Sequence, residues 1–521
     1  MRTFQVPAGQ AEGVLAALAR EWATERRRQP ARRITWFDTF DWRLHQAGWR
    51  LWSEQVGRGK PQLCLQGPEQ QESGTDPIRT QRWTEGEPPD FVPAVLDPVV
   101  GVRRPLPLAT VRLEGEVVRL LDARAKTVVR LYLEQGSDLP TLLRVEPLKG
   151  YEAVGTAVEE RLRELSLEPN PGGFFPLALR AIGREAGDYS SALNIHLEPA
   201  MRADSALRRI LEHLLIAVER NEEGTRRDLD SEFLHDFRVA VRRTRSVLSQ
   251  VKGVLPQAQV EPLRQELKWL GQRTGPTRDL DVYLLNMETY KEALPVAVQR
   301  DLESLESFLR RHQRIEQRRL ARSLDSQRYH RLLESWRRVV AGGRPGQGTT
   351  AADEEPPDAS RPVREVAVER ITGALDRVLK KGGEIQPATP ARALHRLRID
   401  CKKLRYLLEI FAGAFAPERI EPPVQALKKL QKTLGNFNDF EVQQETLRDF
   451  AHRMMRENPS AELERKIDTL LAMGRLLGHL ATGQARERRR FHRRFEKFAG
   501  SRVQHHFEAM LAPEPAVGGE A

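Results

Sequence analysis

The chain has 521 residues, with 84 Lys and Arg against 73 Asp and Glu, a formal net charge of +11 and two cysteines. That length allows about two to four domains with sizeable cores, and the distant pair Cys64 and Cys401 excludes a disulfide framework or a cysteine-spaced metal site. No apolar run approaches the roughly 18 residues of a membrane span, and Met1-Arg-Thr-Phe-Gln-Val-Pro7 lacks the apolar stretch of a secretory leader, so a soluble protein in a reducing, cytoplasmic setting is expected.

The excess charge is unevenly placed. Residues 1–195 carry 26 basic and 26 acidic side chains, so the remainder holds all of the +11. A basic region behind a neutral one suggests a polyanionic partner for the second part. The alternative is that the charge serves solubility.

Residues 1–165 read as a strand-rich domain. Arg33–Thr39, Trp49–Gln55, Pro61–Gln66, Thr110–Leu120, Thr127–Glu134 and Leu142–Pro147 are short, apolar or alternating, and separated by Gly and Pro. Two helices are expected beside them, Ala8–Arg28 and Ala153–Leu165. Residues 166–198, with Pro169, Pro171-Gly172-Gly173 and Pro176, read as a linker with one short helical piece.

From 199 to 511 the apolar residues fall at helical spacing. Asp204-Ser205 marks a helix start, and the helix runs to about Arg227. Helical runs continue through Val254, Val260–Gly271, Asp279–Ala293, Ala297–Ser323 and Tyr329–Val340. The Gly-, Pro- and acid-rich segment 341–361 reads as a flexible loop. After it come Val363–Lys381, Ala391–Ala412, Pro422–Leu434, Asp439–Arg456, Ala461–Gly474 and Gly483–Leu511. The tail 512–521 is expected to be disordered.

This helical region contains a repeat. His235-Asp-Phe-Arg-Val-Ala-Val-Arg-Arg-Thr-Arg245 and His395-Arg-Leu-Arg-Ile-Asp-Cys-Lys-Lys-Leu-Arg405 share the pattern His-x-x-Arg-x-x-x-basic-basic-x-Arg at an offset of 160. The same offset pairs Glu261-Pro262 with Glu421-Pro422, Leu267-Lys268 with Leu427-Lys428, and Gly275, Asp279 and Val282 with Gly435, Asp439 and Val442. A duplicated helical unit explains this, with repeats over 199–340 and 362–511. Two such copies can pack about a pseudo-twofold axis around a shared core.

On a helical wheel His235, Arg238, Arg242 and Arg245 fall within an arc of roughly 80°, and Leu234, Phe237, Val241 and Leu248 form an apolar stripe about 90° away. The second copy repeats this with His395, Arg398, Lys402 and Arg405 beside Leu394, Leu397, Cys401 and Leu408. A solvated charge face would sit opposite the core, whereas these stripes sit next to it, as the lining of a groove or pore does. Neighbouring like charges destabilise a helix by a few tenths of a kcal/mol per pair, and phosphates would relieve that repulsion with charge-assisted bonds. Arg243 and Lys403 extend the motifs. The following helices add Lys268 and Arg273, then Lys428, Lys429 and Lys432. The plainer reading pairs each arginine with a neighbouring acid; the ordered stripe found twice favours an anion.

Two resemblances follow from these residues. Trp36-Phe37-Asp38-Thr39 with Arg43-Leu44, Gly48 and Leu51, then Val129–Glu134 and Arg144–Gly150, resembles the CYTH family. That implies an antiparallel β-tunnel whose enzymes hold triphosphates with basic residues and a glutamate-bound metal. The opening Glu-x-Glu-x-Lys is absent, the Arg-x-Arg strand reads Trp52-Ser53-Glu54, the Thr-x-Lys strand reads Cys64-Leu65-Gln66, and Arg144 stands where a partner of Glu146 belongs. Neither a hard cation nor a triphosphate then has its usual partners, so the fold is expected without the activity, and neither metal nor cofactor is expected.

The paired motifs, Leu-Lys-x-Leu at 267–270 and 427–430, Arg278-Asp279-Leu-Asp281-Val282 with its echo Asn438-Asp439-Phe-Glu441-Val442, and Arg328-Tyr329-x-x-Leu332-Leu333-x-x-Trp336 resemble the CHAD family over about Pro199–Leu511. The resemblance implies a helical fold with pseudo-twofold symmetry and a basic pore that binds inorganic polyphosphate, with association to polyphosphate granules. A departure is Asn438 where the first copy has Arg278. The expected whole is an α+β multidomain chain, a β-tunnel followed by a duplicated all-α domain, with polyphosphate as the partner and no catalysis.

Other signals are weaker. His235-Asp236 is a dipeptide of metal-dependent phosphohydrolases, but the second copy reads His395-Arg396. The motif histidines pack helices or donate to phosphate. Asp279 and Asp439 cap a helix or hold a motif arginine. Arg486–Arg494 is either a solvated face or a second anion surface. Gly342–Gly348 is not a phosphate loop, because no Gly-Lys-Ser/Thr follows. Nucleic acid is the rival polyanion, disfavoured because no aromatic interleaves with the first basic stripe. Triphosphatase chemistry in the N-terminal part is the enzymatic rival.

Overall fold

The structure is a computed structural model and describes residues 2–68, 78–80, 94–193, 195–342, 355–457 and 463–513. Most of the loop expected at 341–361, and the tail from 514 on, lie outside these residues. The chain divides into two compact units, Met1–Ser191 and Ala192–Ala521.

The first unit is built on a nine-stranded sheet in the order β5-β4-β3-β2-β6-β7-β8-β1-β9, with every ladder antiparallel. Its strands are β1 (Arg2–Val6), β2 (Ala23–Asp38), β3 (Arg50–Val56), β4 (Gln62–Gln66), β5 (Ile78–Thr80), β6 (Leu106–Leu121), β7 (Thr127–Gly136), β8 (Thr141–Pro147) and β9 (Glu168–Pro169). Helices α1 (Ala11–Leu18) and α2 (Glu152–Glu164) complete a core with Phe4, Val6, Val118, Leu131, Val145 and Leu162.

Two expectations change here, and one strand is added. The first helix stops at Leu18, and Ala23–Arg28 are strand, paired with 116–121 of β6. Arg26 bonds Glu116 across that ladder at 2.6 Å, so cross-strand pairing overrides the helical propensity of the arginine run. The N-terminal Arg2–Val6 is the added strand, because Phe4 and Val6 bury against β8. Residues 166–191 pack with the sheet instead of linking: α3 (Phe174–Ala181) sets Phe174, Ala178 and Leu179 against Ile34, Trp36, Val111 and Leu142.

The second unit is helical: α4 (Ala203–Arg227), α5 (Ser231–Gln250), α6 (Gln257–Leu285), α7 (Glu303–Leu324), α8 (Gln327–Ala341), α9 (Val363–Gly383), α10 (Ala391–Ile410), α11 (Pro417–Glu457), α12 (Leu463–Ala499) and α13 (Ser501–Leu511), with short helical turns between Met287 and Leu302. Several expected pairs of helices are single long ones. In α6 the buried row Val260, Leu263, Leu267, Leu270, Thr274, Thr277, Leu280 continues past Pro262 and Pro276. In α11 the row Leu427, Leu430, Leu434, Phe437 continues past Gly435. Burial of a continuous face outweighs the local cost of a breaker.

One core takes residues from both repeats, including Leu211, Phe237, Leu267 and Trp336 of the first and Ile371, Leu397, Leu427 and Phe498 of the second. A second, smaller core joins Tyr283, Tyr290 and Phe308 to Phe450, Met473 and Leu476. The repeats are tied across their symmetry. Ala203 N–H donates to Arg361 C=O at 2.9 Å, and Val363 N–H donates to Met201 C=O at 2.7 Å. Residues at the 160 offset thus exchange bonds around the Arg202–Pro362 bridge, as a local twofold requires. Tyr283 Oη donates to the carbonyl of Gln443, its own counterpart, at 3.1 Å.

Candidate anion-binding site

The Asp230 carboxylate accepts from the amides of Glu232 and Phe233, and this cap fixes where α5 begins. The apolar seam of α5 is buried as expected, at Leu234, Phe237, Val241 and Leu248. Beside it run His235, Arg238 and Arg245, partly buried, and Arg242, exposed. In α10 the seam is Leu394, Leu397, Cys401 and Leu408, with Lys402, Arg398 and Arg405 partly buried beside it and His395 exposed.

Each stripe is steadied by the helix that follows it, with different chemistry in the two copies; only the histidine partners stand at equivalent positions. Arg278 of α6 donates to His235 Nδ1 at 3.0 Å and to the Ser231 carbonyl at 3.0 Å. In the second copy His395 Nδ1 bonds the Asn438 side-chain oxygen of α11. The Arg278-to-Asn438 departure is therefore a change of histidine partner. The motif arginines differ likewise. Arg238 donates to Thr274 Oγ1 at 2.7 Å and the Gly271 carbonyl at 3.1 Å, whereas Arg398 pairs with Asp439 at 3.0 Å. Gly271 leaves room for Arg245: a Cβ there would stand 3.0 Å from its guanidinium.

The two stripes converge. Arg243 of α5 pairs with Glu409 of α10 at 3.2 Å, and Gln250 donates to the Lys403 carbonyl at 3.4 Å, so the two motif helices touch. Lys402 is depressed to about 8 by burial, by Arg398 on its own helix and by Arg242 from the other repeat, with Arg405 adding to them and Asp439 of α11 opposing them. Arg238 is also lowered, first by burial, and Arg242, Arg278 and Arg245 push in the same direction against Asp279.

Arg242, Arg245, Lys268, Lys402 and Lys428 make no hydrogen bond or ion pair with a described residue. The Nε of Arg398 is buried without an acceptor, and that of Arg405 has only the Glu409 carboxylate, at 3.2 Å. A buried donor left unmade costs about 1–3 kcal/mol, and an oxyanion would satisfy several at once.

Not every expected residue joins the stripes. Arg243 and Lys403 turn to the other flank of their helices, Arg243 toward Glu409 and Lys403 toward Asp400 at 3.9 Å. Arg273 lies about 140° around α6 from the face that meets α5. Lys429 and Lys432 instead line a cavity of about 360 Å³ with Arg490 and Arg494 of α12. Spacing along a helix places a basic residue on a face but does not fix which neighbouring helix that face meets. Glu409 was not anticipated; its position four after Arg405, to which it is bonded at 3.2 Å, was the available signal.

Within the basic run 486–494, Arg488 bonds the carbonyls of Pro387 and Thr389, and Phe491 is in the core. In the first unit, Glu54 and Glu134 are buried and both pair with Arg32. Arg144 stacks 3.8 Å over the Tyr132 ring and pairs with Glu146 at 3.4 Å. Among the described residues no three His, Cys, Asp or Glu side chains are placed to hold a metal ion. No helix among them is long and apolar enough to cross a membrane.

Comparison with known proteins gives a family match. Residues 209–448 match the family model described as CHAD domain. The solved structure of the CHAD domain from the plant Ricinus communis is 25% identical, covering 58% of this chain and 94% of that one with a TM-score of 0.46. PptA from Streptomyces chartreusis is 16% identical over 57% of this chain and 100% of that one, TM-score 0.42. The PH1819 protein from Pyrococcus horikoshii OT3 is 12% identical over 35% of this chain and 98% of that one, TM-score 0.23. The search of curated proteins found no match. Through residues 209–448, the helical unit of this chain carries a CHAD domain.

Proposed function

We propose that the helical unit binds inorganic polyphosphate along the paired stripes of α5 and α10 and does no chemistry on it. The observation that carries this reading is Lys402, partly buried among Arg398, Arg242 and Arg405 and without a hydrogen-bonding or ion-pairing partner among the described residues. Such a group is stabilised by a ligand that brings several negative charges at close spacing. Arg242, Arg245, Lys268 and Lys428 supply further uncommitted donors, and guanidinium suits phosphate bidentately. Arg238 and Arg398, already anchored, set the geometry. The histidines orient rather than transfer protons. Binding in the cytoplasm would place the protein on polyphosphate granules.

The test is a titration of the full chain with long-chain polyphosphate, beside a variant carrying Arg242→Glu and Lys402→Glu. The double reversal abolishes binding while the far-ultraviolet spectrum stays unchanged. A folded variant that still binds sinks the assignment. Single-stranded RNA at matched charge competes weakly, since bases find no aromatic to stack on along the first stripe.

A further inference from the structure

The cavity between α11 and α12 was not part of the paired motif. Its floor is Thr433, Asn436 and the buried carboxylate of Glu487; its rim is Lys429, Lys432, Arg490 and Arg494. Glu487 is bonded to Arg490 at 3.0 Å. Lys429, Lys432 and Arg494 make no hydrogen bond or ion pair with a described residue. Four cations thus surround one acid, and hydroxyl and amide groups lie at the base.

The equivalent place in the first repeat carries different side chains. α8 packs on α6 there, and its buried Tyr329, Leu333 and Trp336 correspond in spacing to Phe491, Phe495 and Phe498 of α12. Trp269 stands where the second copy has Lys429. Arg328 lies 4.5 Å over the Trp269 ring and is neutralised by Glu266 at 2.7 Å. The second copy has Ala426 in place of Glu266. One repeat fills the position with a stacked, neutral pair, and the other leaves it open and cationic.

Lys432 is one turn beyond Lys428 on α11, about 6 Å along the helix. On the wheel it lies between Lys428, on the stripe side, and Lys429, on the cavity side. A cationic path therefore runs from the stripes into the cavity on one side of the molecule.

We propose that this cavity is a second phosphate-binding station, which takes the continuation of a linear polyphosphate already held by the stripes. The proposal rests on the reading of the stripes given above. It makes binding chain-length dependent: a tripolyphosphate fits on the stripes alone, and a long chain reaches both places.

The experiment compares tripolyphosphate and a long polyphosphate on the full chain and three variants. In Lys429→Ala with Arg494→Ala, long-chain affinity falls about tenfold and the salt dependence of log affinity becomes shallower by about one to two. Its tripolyphosphate affinity stays within about twofold. Arg314→Ala with Arg318→Ala, which removes the same charge from the exposed face of α7, keeps long-chain affinity. Unchanged long-chain binding in the cavity variant overturns the proposal, as does an equal loss in the α7 control. Failure of the stripe reading looks different: Arg242→Ala with Lys402→Ala then binds tripolyphosphate as the unaltered chain does. All substituted side chains are exposed or at the rim except Lys402, and thermal melts check that each variant folds.

Discussion

Arg242 and Lys402 stand 160 residues apart in sequence, and their positive charges oppose each other in space. Each comes from one copy of the duplicated unit, so the repulsion exists only because the copies pack together. A fold that merely displayed basic residues to water would let these side chains diverge. Here burial, Arg398 and Arg242 all press on one lysine.

On the proposed reading, that arrangement should make polyphosphate binding pH-dependent. The folded value for Lys402, about 8, lies below the ordinary 10.5, so the unfolded chain binds more protons between these values and stability rises with pH there. Below about 8 both states are charged and the penalty is present in full. A Lys402→Met chain should therefore melt higher than the native one near neutral pH, with the gap closing in alkali. Bound polyphosphate should act in the opposite sense, because a polyanion favours the charged amine. Binding just above pH 8 should take up a proton, read as a dependence of calorimetric heat on the buffer's ionisation enthalpy. Heat independent of buffer there means that Lys402 does not meet the ligand.

Glu409 holds both Arg243 and Arg405, at 3.2 Å each. Its counterpart in the first repeat is Ser249, and Arg245 is correspondingly without a partner among the described residues. Glu409→Gln should strengthen polyphosphate binding severalfold while lowering stability by about 1–2 kcal/mol. Parallel titrations and denaturant melts measure the two effects. Weaker binding would show that Glu409 serves mainly to orient Arg405.

The first unit offers a contrasting test. Arg32 occupies the space between Glu54 and Glu134, side chains that are 6% and 9% exposed. Removing one partner of a buried ion pair costs about 3–5 kcal/mol, so Arg32→Met should selectively destabilise this unit in proteolysis or denaturant unfolding. The intact chain should release no phosphate from tripolyphosphate when Mg²⁺ is supplied. Metal-dependent release abolished by Glu54→Gln would revive an enzymatic role.

Much of this was legible in the sequence. The constant offset and the position of each stripe beside its apolar seam follow from helical periodicity, which depends on spacing alone. The length of α11 was not legible, because Gly435 signals a break and only the buried neighbours Leu434 and Phe437 show that the helix continues. The strand at Ala23–Arg28 was missed for a related reason: Arg26 finds Glu116, 90 residues away. The division of labour among the basic residues was equally hidden. Lys428 and Lys429 are adjacent in sequence, yet about 100° apart on the helix, and only the placement of α12 decides that Lys429 faces Arg490.

The most direct measurement is a polyphosphate titration of the full chain at two salt concentrations. Ion release from a linear polyanion should give a log–log slope of roughly −0.7 per phosphate neutralised, so the five uncommitted cations, three on the stripes and Lys268 and Lys428 on the helices that follow, predict a slope of about −3 or steeper. Tight binding with that slope is the expected result. Absence of binding at low salt, or a salt-independent affinity, contradicts the account.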